Sequence, residues 1–515
     1  MTPIDGAVTG LALFLAAALL ATVASPRVTA TVSVLAGLTL LAAAAAVLAG
    51  ADSSTLALPW LPGGPAAALR LDPLAAFFLV PIGLIGALGP VYGAGYYPRA
   101  EHPASDRPVR AGYATLTAAL ALVAVANDGA VFLLGWETMA LSGFLLILAD
   151  HRRADVRAAA FVYLVATHLS TLALWWFFTR VEAATGTFGF APLPIGDPAT
   201  TGTMLLALLG FGIKAGFVPL HVWLPGAHAA APTHVSAILS GVVLKVGVYG
   251  VVRATTLAPD LPVGFGGLVL ALGAVAAVLG VALALAQHDL KRLLAYHSIE
   301  NIGIILLGVG LALLGRATDH PSWTALGLAG ALLHVWNHAL FKSLLFFGAG
   351  AAIRAAGTRA IDRLGGLAKR QPVTAFAFLV GAVAISGLPP LNGFVSELLI
   401  YVGLFDAARA GAPAVALAAP ALAIVGALAL ACFVKVYGAV FLGTARTPAA
   451  AAARPAPTAM RAPMLILVAL CAVIGLAPWA VAPALDRVVA DLSPAAAAAV
   501  PAIAERAAFV PLSAI

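Results

Sequence analysis

Long apolar runs alternate with short polar or Pro/Gly-rich breaks along almost the whole chain. A membrane-spanning helix needs roughly 20 predominantly apolar residues, and windows of that length predict about fourteen spans. Continuous apolarity, rather than strict alternation, favours helices over a membrane barrel. The predicted fold class is therefore all-α and polytopic, with spans at residues 6–24, 28–50, 73–96, 110–127, 129–149, 157–180, 201–224, 231–254, 263–286, 291–313, 325–353, 372–404, 414–442 and 460–483.

Composition supports a membrane protein. Of the 515 residues, 62% are hydrophobic and 10% are charged, whereas soluble domains are about 45–50% apolar and about 25% charged. A net charge of +7 in such a chain does not indicate a nucleic-acid partner, because its distribution matters more than its sum. No basic residue precedes the first apolar run, so we expect a retained helix and not a secretory signal.

Basic residues concentrate in alternate loops between the predicted spans. The most basic loops are residues 99–110, 150–157 and 354–370. Cytoplasmic loops of membrane proteins carry an excess of Lys and Arg. The pattern therefore predicts a multi-pass protein of the cell inner (plasma) membrane with both termini on the outer side.

Two predicted helices are interrupted by proline beside an ionisable residue. Pro219 lies in KAGFVPLHVWLPGAH of the seventh span, and Pro389 and Pro390 lie in SGLPPLNGFVSE of the twelfth. Proline removes a backbone donor and clashes with the preceding turn, so both helices should be broken there.

Broken helices five spans apart are typical of transporters built from two repeated halves. Because each repeat would have five spans, an odd number, the second repeat would cross the membrane in the opposite direction to the first. The alternative is that Pro and Gly are simply common in membrane helices. The predicted organisation is three N-terminal helices, two five-helix repeats, and a C-terminal part with an Ala/Pro-rich loop, the last helix and a tail, at residues 1–109, 110–254, 255–442 and 443–515 respectively.

Seven ionisable residues fall inside predicted spans. A charge at bilayer depth costs from about 2.5 kcal/mol upward, so such residues are rare unless they are paired, hydrated or functional. They are Lys214, Lys245, Lys342, Lys435, Glu137, Glu300 and Glu397.

Each of these residues carries its own prediction. Glu137 needs a partner from another helix, and Lys214 and Lys245 are the candidates; such a pair could be a proton switch or a static ion pair. Lys245 is mid-helix, where its ammonium cannot easily reach water, whereas Lys435 has the position of a snorkelling anchor. Glu300 is expected near the inside interface, and Glu397, just after the twelfth-span break, suits a terminal proton donor or acceptor.

His334, His338 and Lys342 follow one another at i, i+4 and i+8, so they share one face of the eleventh span. Titratable groups in a row suit a proton relay, and the alternative is histidines that only pack helices. Two histidines one helical turn apart cannot bind the same haem iron from opposite sides. A haem would therefore need a ligand from another helix, such as His168. Phosphate-loop, dinucleotide, zinc and Cys-pair motifs are not found, so no cofactor, metal or catalytic redox site is expected in this chain.

Five ordered motifs together resemble the antiporter-like membrane subunits of respiratory complex I, Mrp antiporters and membrane-bound hydrogenases. They are GWE at 135–137, KAGFVPLHVWLPGAHAAAPTHVSA at 214–237, LLKVGVYG at 243–250, HDLKRLLAYHSIENIG at 288–303 and LPPLNGFVSE at 388–397. Within this family, AYHSIENIGIILLG, NHALFKSLLFFGAG and SGLPPLNGFVSELLIY are most similar to the formate hydrogenlyase and hydrogenase-4 component B branch.

The resemblance implies a fourteen-helix fold with two inverted five-helix repeats. It implies a proton pathway in which Glu137 and Lys214 form the uptake-side pair, Lys245 is the central relay, and His334, His338 and Lys342 lead on to Glu397 at the exit.

It also implies a proton-translocating subunit of a hydrogenase-4-like or complex I-like (NADH-quinone oxidoreductase) redox complex. The implied partners are other membrane subunits and a peripheral redox module, and the ion is the proton or, in antiporters, sodium. Two alternatives stay open: a subunit of an Mrp-type cation/proton antiporter, and a membrane anchor that does not pump.

Overall fold

The computed structural model describes residues 2–58, 67–499 and 503, and its described part is almost entirely helical. Two short strands, β1 (Ser54–Ala57) and β2 (Ala68–Leu71), form an antiparallel hairpin with Ser54 opposite Leu71. The helices are α1 Pro3–Ala21, α2 Pro26–Leu48, α3 Pro73–Tyr96, α4 Asp106–Val125, α5 Gly129–Ile147, α6 Ala154–Thr185, α7 Thr200–Ala215, α8 Leu224–Ala230, α9 Thr233–Ile238, α10 Leu244–Thr256, α11 Val263–Leu285, α12 Leu290–Ala317, α13 Pro321–Ala356, α14 Leu367–Arg370, α15 Pro372–Ile385, α16 Asn392–Arg409, α17 Pro413–Ala416, α18 Ala418–Phe441, α19 Pro448–Ala451, α20 Thr458–Leu476, α21 Ala482–Leu492 and α22 Pro494–Ala499.

Twelve helical segments of the described chain are long and apolar enough to cross a membrane, and α7 and α15 are shorter apolar helices. These two belong to the interrupted seventh and twelfth spans, so the described chain has the fourteen spans that the hydrophobic pattern predicts. The all-α prediction is confirmed, and the protein is a multi-pass membrane protein.

Both predicted helix breaks are present. α7 ends at Ala215, and Gly216 follows with a φ of 75°. The other break follows α15, where Gly387 has a φ of 63°. Because a left-handed backbone stops a helix at little cost only when the residue is glycine, these positions end each first half-helix. The breaks lie five spans apart, as the inverted-repeat prediction requires.

The eighth span contains a third irregularity that the sequence analysis did not predict. Between α9 and α10, residues 239–243 form a π-helix. A π-helical turn holds one extra residue, widens the helix and is frequent at functional sites. Lys245 follows this turn directly, as the second residue of α10.

The helices differ in how deeply they are buried. Throughout their most apolar windows, the α9–α10 span and α12 are completely buried inside the protein, whereas most of α6 faces outward. α12 packs along α11 and α13 and touches α16 and α18. The central helices are therefore sealed from lipid, and their polar side chains must find partners inside the protein.

Ion pairs tie the loops together at each end of the bundle. Arg354 at the end of α13 bonds Glu101 after α3, at 2.6 Å, whereas Arg253 at the end of α10 bonds Asp72 before α3, at 2.7 Å. Asp72 therefore lies at the opposite end of α3 from Glu101. Ion pairs at both ends of α3 fit a chain whose helices cross the membrane repeatedly and whose loops lie on both sides of it.

Candidate proton pathway

The candidate site is a set of ionisable side chains buried between the central helices. An ionisable group inside an apolar layer is costly unless it is paired, hydrated or functional. Its buried members are Lys214, Lys245, Glu300, His334, His338, Lys342 and Glu397.

Lys214 lies in the last turn of α7, directly before the first break. Its Nζ is 3.4 Å from the hydroxyl of Tyr163, and it lies 5.6 Å from the ring centre of Trp136 and 5.2 Å from that of Tyr163. The aromatic faces and the carbonyl end of the helix both favour a positive charge there. The lysine is therefore held by rings and a helix end, without a carboxylate in contact.

Glu137 has different neighbours from those the sequence predicts. It accepts a hydrogen bond from the Thr171 hydroxyl, and one carboxylate oxygen is 3.8 Å from Nε2 of His168. Within the described chain no ion pair joins Glu137 to Lys214 or Lys245 at 4.0 Å or less, but Glu137 is close enough to act electrostatically on Lys214, so their pairing without contact stays a prediction. Successive helical residues point about 100° apart, so with Trp136 beside Lys214, Glu137 faces α6 instead.

Glu137 is also partly open to the outside of the chain. Its side chain is 30% exposed and that of His168 is 50% exposed, on a face that carries the exposed Leu141 and Leu172. This pair therefore reaches the surface of the bundle, while Lys214 stays inside it.

Lys245 is bonded to the π-helix that precedes it. Its Nζ donates to the carbonyl of Ser240 at 2.5 Å, and no carboxylate of the described residues lies within ion-pair distance. The Ser240 hydroxyl is 2.7 Å from the hydroxyl of Ser298 on α12. The widened turn thus connects the central lysine with the neighbouring helix.

A short polar segment of α12, His297 to Asn301, lies between the two repeats. Glu300 bonds Nδ1 of His297 and is only 1% exposed. The expectation that Glu300 lies near the inside interface is wrong: it is ten residues into α12, roughly 15 Å along the axis at 1.5 Å per residue. α12 starts well before this residue, so the polar segment falls in the middle of the layer.

His334 joins this segment to the second broken span. One ring nitrogen is 3.1 Å from the amide oxygen of Asn301, and the other is 2.9 Å from the hydroxyl of Ser396 on α16. Asn337 donates to the same Ser396 hydroxyl at 2.9 Å. A continuous polar contact therefore runs from α12 through α13 to α16.

The other two members of the predicted row lie on the same side of α13. The rings of His334 and His338 are 6.5 Å apart. Within the described residues, neither ring nitrogen of His338 nor Nζ of Lys342 has a hydrogen-bond partner, and Glu300 is close enough to act electrostatically on Lys342. Buried polar groups of this kind are usually satisfied by internal water.

Glu397 lies beyond the second break and is 7% exposed. Its carboxylate packs against Gly387, where an added Cβ would be 2.6 Å from Oε2. The residue before it, Ser396, is the one that contacts His334. Glu397 therefore lies at the end of the polar series, against the break itself.

The structure adds polar groups that the sequence analysis did not single out. They are Ser240, His297, Ser298, Asn301, Asn337 and Ser396, all buried. The run HSIEN at 297–301 places four polar residues among five in an apolar helix, and that density was the available signal. Lys435 is exposed and donates to the carbonyl of Leu285 at 2.6 Å, as expected for an anchor near a helix end.

Comparisons with known proteins show the family of the chain. The sequence model of the family described as "NADH:quinone oxidoreductase/Mrp antiporter, TM" matches residues 126–422. Hydrogenase-4 component B of Escherichia coli (strain K12) is 40% identical over 423 residues, covering 80% of this chain and 62% of that protein. Formate hydrogenlyase subunit 3 of the same strain is 37% identical over 417 residues, covering 80% and 67%. The chain thus spans a little under two thirds of the length of the first relative.

The fold is also that of a solved antiporter complex. A chain of the Mrp complex from Dietzia sp. DQ12-45-1b superimposes with a TM-score of 0.82 at 23% identity, over 96% of this chain and 99% of that one. The family match covers more than half of the chain and includes both helix breaks. The chain belongs to the NADH:quinone oxidoreductase/Mrp antiporter transmembrane family.

Proposed function

We propose that the chain is a proton-translocating membrane subunit of a redox complex similar to hydrogenase-4, formate hydrogenlyase or a complex I-type NADH-quinone oxidoreductase. Two similar proteins are named as a component and a subunit of such assemblies. The proposed partners are other membrane subunits and a peripheral redox module that transfers the electrons. This chain would bind no cofactor and would move the ion.

The observation that carries the proposal is the linked series of buried polar groups across four helices. Nζ of Lys245 donates to the carbonyl of Ser240, which cannot carry a proton onward, so internal water would pass the proton from Lys245 to the Ser240 hydroxyl. The hydroxyls of Ser240 and Ser298 both donate and accept hydrogen bonds, so they would lead the proton on to α12. From there, Glu300, Lys342 and internal water lead to the two histidines of α13.

The last steps run from His334 to Glu397. Imidazole takes up and releases protons near neutral pH, and the hydroxyl of Ser396 is 2.9 Å from the His334 ring. Glu397 follows Ser396 in the sequence and lies against the break of the twelfth span. It is the proposed exit group.

Glu137 and Lys214 serve the uptake side. Glu137 lies on an open face of α5, where a moving charge in a neighbouring subunit can reach it. Lys214 has one hydrogen bond of 3.4 Å, so little has to be broken when it releases its proton. A charge change at Glu137 would act on Lys214 across the intervening layer and not through contact, because field effects persist where the effective dielectric constant is low.

We further place both termini on the outer side of the inner (plasma) membrane. The support is that the arginine-rich segments lie at one end of the bundle. Arg359 bonds Asp289 at 2.5 Å and lies 4.0 Å from Asp155, so three loops that should face the cytoplasm meet there.

The decisive experiment measures proton uptake and electron transfer together in inverted membrane vesicles. With Glu137→Ala, Lys214→Ala or Lys245→Ala in an assembled complex, we expect uptake per electron to fall to the background. Lys435→Ala is the matched control, because that lysine lies outside the series. Full uptake by the Glu137 and Lys214 variants would refute the mechanism.

A subunit of an Mrp-type cation/proton antiporter is the second candidate, since the matched family includes such antiporters. Sodium-dependent proton movement without an electron donor, together with copurification of antiporter subunits alone, would favour it. A non-pumping anchor is the third reading. It requires the buried charges to be dispensable for coupled transport, so the same three alanine variants test it.

A further inference from the structure

A cavity of about 400 Å³ opens beside the break of the seventh span, at the arginine-rich end of the bundle. The first two turns of α6 form one wall, the start of α12 forms the opposite wall, and the segment between α7 and α8 forms the floor. Its lining includes Ala158, Val162, His221, Gly226, Arg292 and Tyr296. None of these residues belongs to the proposed proton pathway.

The cavity combines an apolar wall with basic and hydrogen-bonding groups. Ala158 and Val162 are exposed on the outward face of α6, where a hydrocarbon chain can lie. The same cavity is lined by Arg292 and Tyr296 of α12. An aromatic ring beside a basic side chain at a helix end is typical of a membrane interface.

Arg292 differs from Arg153 and Arg359 in having no acid to neutralise it. Arg153 bonds Asp155 at 2.6 Å, and Arg359 bonds Asp289 at 2.5 Å. Within the described part of the chain, no carboxylate lies within 4.0 Å of Arg292. In addition, Nδ1 of His221 is buried there with no partner among those residues.

We propose that this cavity binds the phosphate headgroup of an anionic phospholipid, with one acyl chain along α6. Basic pockets between membrane helices at the interface bind such headgroups. Arginine matches phosphate oxygens with two parallel N–H donors, and the orphan His221 nitrogen and the Tyr296 hydroxyl supply further polar contacts. The site goes beyond the proposed function and does not depend on it.

Gly226 allows the charge argument to be tested with little disturbance of the fold. A Cβ built there meets only Ala159, at 3.5 and 3.9 Å, which is ordinary contact. An acidic side chain can therefore be introduced into the lining, and Gly226→Asn is its neutral match.

The experiment is native mass spectrometry of the full-length protein, purified in mild detergent with the subunits that accompany it. Dioleoyl phosphatidylglycerol and dioleoyl phosphatidylcholine are titrated separately. We expect the unchanged protein to prefer phosphatidylglycerol, and Arg292→Gln to weaken its binding about fivefold, the contribution of one basic group near a charged lipid. Gly226→Asp should weaken it similarly, while Gly226→Asn keeps most of it and Arg292→Lys, which keeps the charge but loses the paired donors, gives an intermediate loss.

Arg152→Gln is the matched control, because Arg152 is an exposed arginine of the same end that does not line the cavity, and it should leave binding unchanged. Equal binding of the two lipids, or unchanged phosphatidylglycerol binding by Arg292→Gln, would overturn the proposal. Displacement of the lipid by millimolar inorganic phosphate would assign the site to a free anion and would also overturn it. Equal loss in Gly226→Asn and Gly226→Asp would show a steric effect and refute the role of charge.

Discussion

The two broken spans look alike in sequence but place their charges in opposite surroundings. Lys214 precedes its break and contacts the rings of Trp136 and Tyr163, with one long hydrogen bond. Glu397 follows its break, next to Ser396, which belongs to a hydrogen-bonded network on three helices. One break thus holds a charge among aromatic rings, and the other holds a charge next to a hydrogen-bonded network.

The difference suggests a division of labour between the two repeats. An isolated charge responds strongly to a field, since few contacts oppose a change in its protonation. A charge beside a network exchanges protons readily, because a chain of hydroxyl, amide and imidazole groups begins at the next residue, Ser396. In the proposed function the first repeat would sense the partner complex, and the second would conduct.

The largest expected effects come from Lys214→Met and His334→Leu. Both should reduce proton uptake by more than about tenfold, since groups that transfer protons contribute about a hundredfold or more. Their effects on folding should have opposite signs. His334→Leu leaves the amide oxygen of Asn301 without its partner and removes one hydrogen bond of Ser396, so it should lower the free energy of unfolding by about 1–3 kcal/mol. Lys214→Met removes a buried charge and should raise it by about 1 kcal/mol.

SDS titration of the purified protein in mixed micelles measures the free energy of unfolding. Dye quenching in inverted vesicles measures proton uptake. A Lys214→Met protein destabilised as much as His334→Leu would contradict the description of Lys214 as isolated.

The next pair of substitutions compares the glycines that end the two first half-helices. Gly216→Ala and Gly387→Ala should each cost about 1–2 kcal/mol of unfolding free energy, because both residues have a left-handed backbone. The new methyl group would lie 2.5 Å from a Leu224 methyl in the first case and 2.6 Å from the Glu397 carboxylate in the second. Only Gly387→Ala should therefore impair transport, by up to about a hundredfold if the carboxylate is displaced.

Transport assays at matched protein amounts separate the two glycine variants. An equal loss of transport in both variants would show that transport depends on the backbone conformation at the two breaks. The position of the Glu397 carboxylate would then not explain the loss.

A smaller effect is expected in the coupling energies that double-mutant cycles measure, one at Glu137 in the first repeat and one at His334 in the second. The cycle of Glu137→Gln with His168→Gln should give a coupling energy below about 1 kcal/mol, since these groups are partly exposed and 3.8 Å apart. The cycle of His334→Gln with Ser396→Ala should give about 0.5–3 kcal/mol, because the groups are buried and in contact. A larger coupling at Glu137 than at His334 would reverse the comparison.

The smallest effect is expected at Lys435. Its side chain is exposed and donates to the carbonyl of Leu285, so Lys435→Gln should change the free energy of unfolding by no more than about 0.5 kcal/mol. Proton uptake should stay at the level of the unchanged protein. A strong loss of uptake would extend the proton pathway to α18.

The sequence analysis predicted the breaks well because their causes are local. Pro219 and Pro390 each remove a backbone donor, and Gly216 and Gly387 take a conformation that few other residues adopt. It did not predict the contacts of Glu137 with α6, for a different reason. The partner of a buried carboxylate depends on how neighbouring helices are rotated, and hydropathy does not fix rotation.

The network around His334 could not be predicted as a unit. Asn301, His334 and Ser396 lie on three helices, separated by 33 and 62 residues from His334 along the chain. Each is a single polar residue in an apolar segment, and only their meeting gives them a common role. The dense run HSIEN was the one visible sign that α12 is more than an apolar helix.

The sequence by itself determined the membrane class, the fourteen spans, the places of the two breaks and the identity of the ionisable groups, because hydropathy and backbone chemistry act over a few turns. The tertiary structure alone decided that Lys214 is isolated, that Glu137 faces α6 and that α12 connects the two repeats. Hydrogen bonds form only within about 3.5 Å, and one residue of helix turns a side chain by about 100°. Such contacts are fixed only when the helices are packed together.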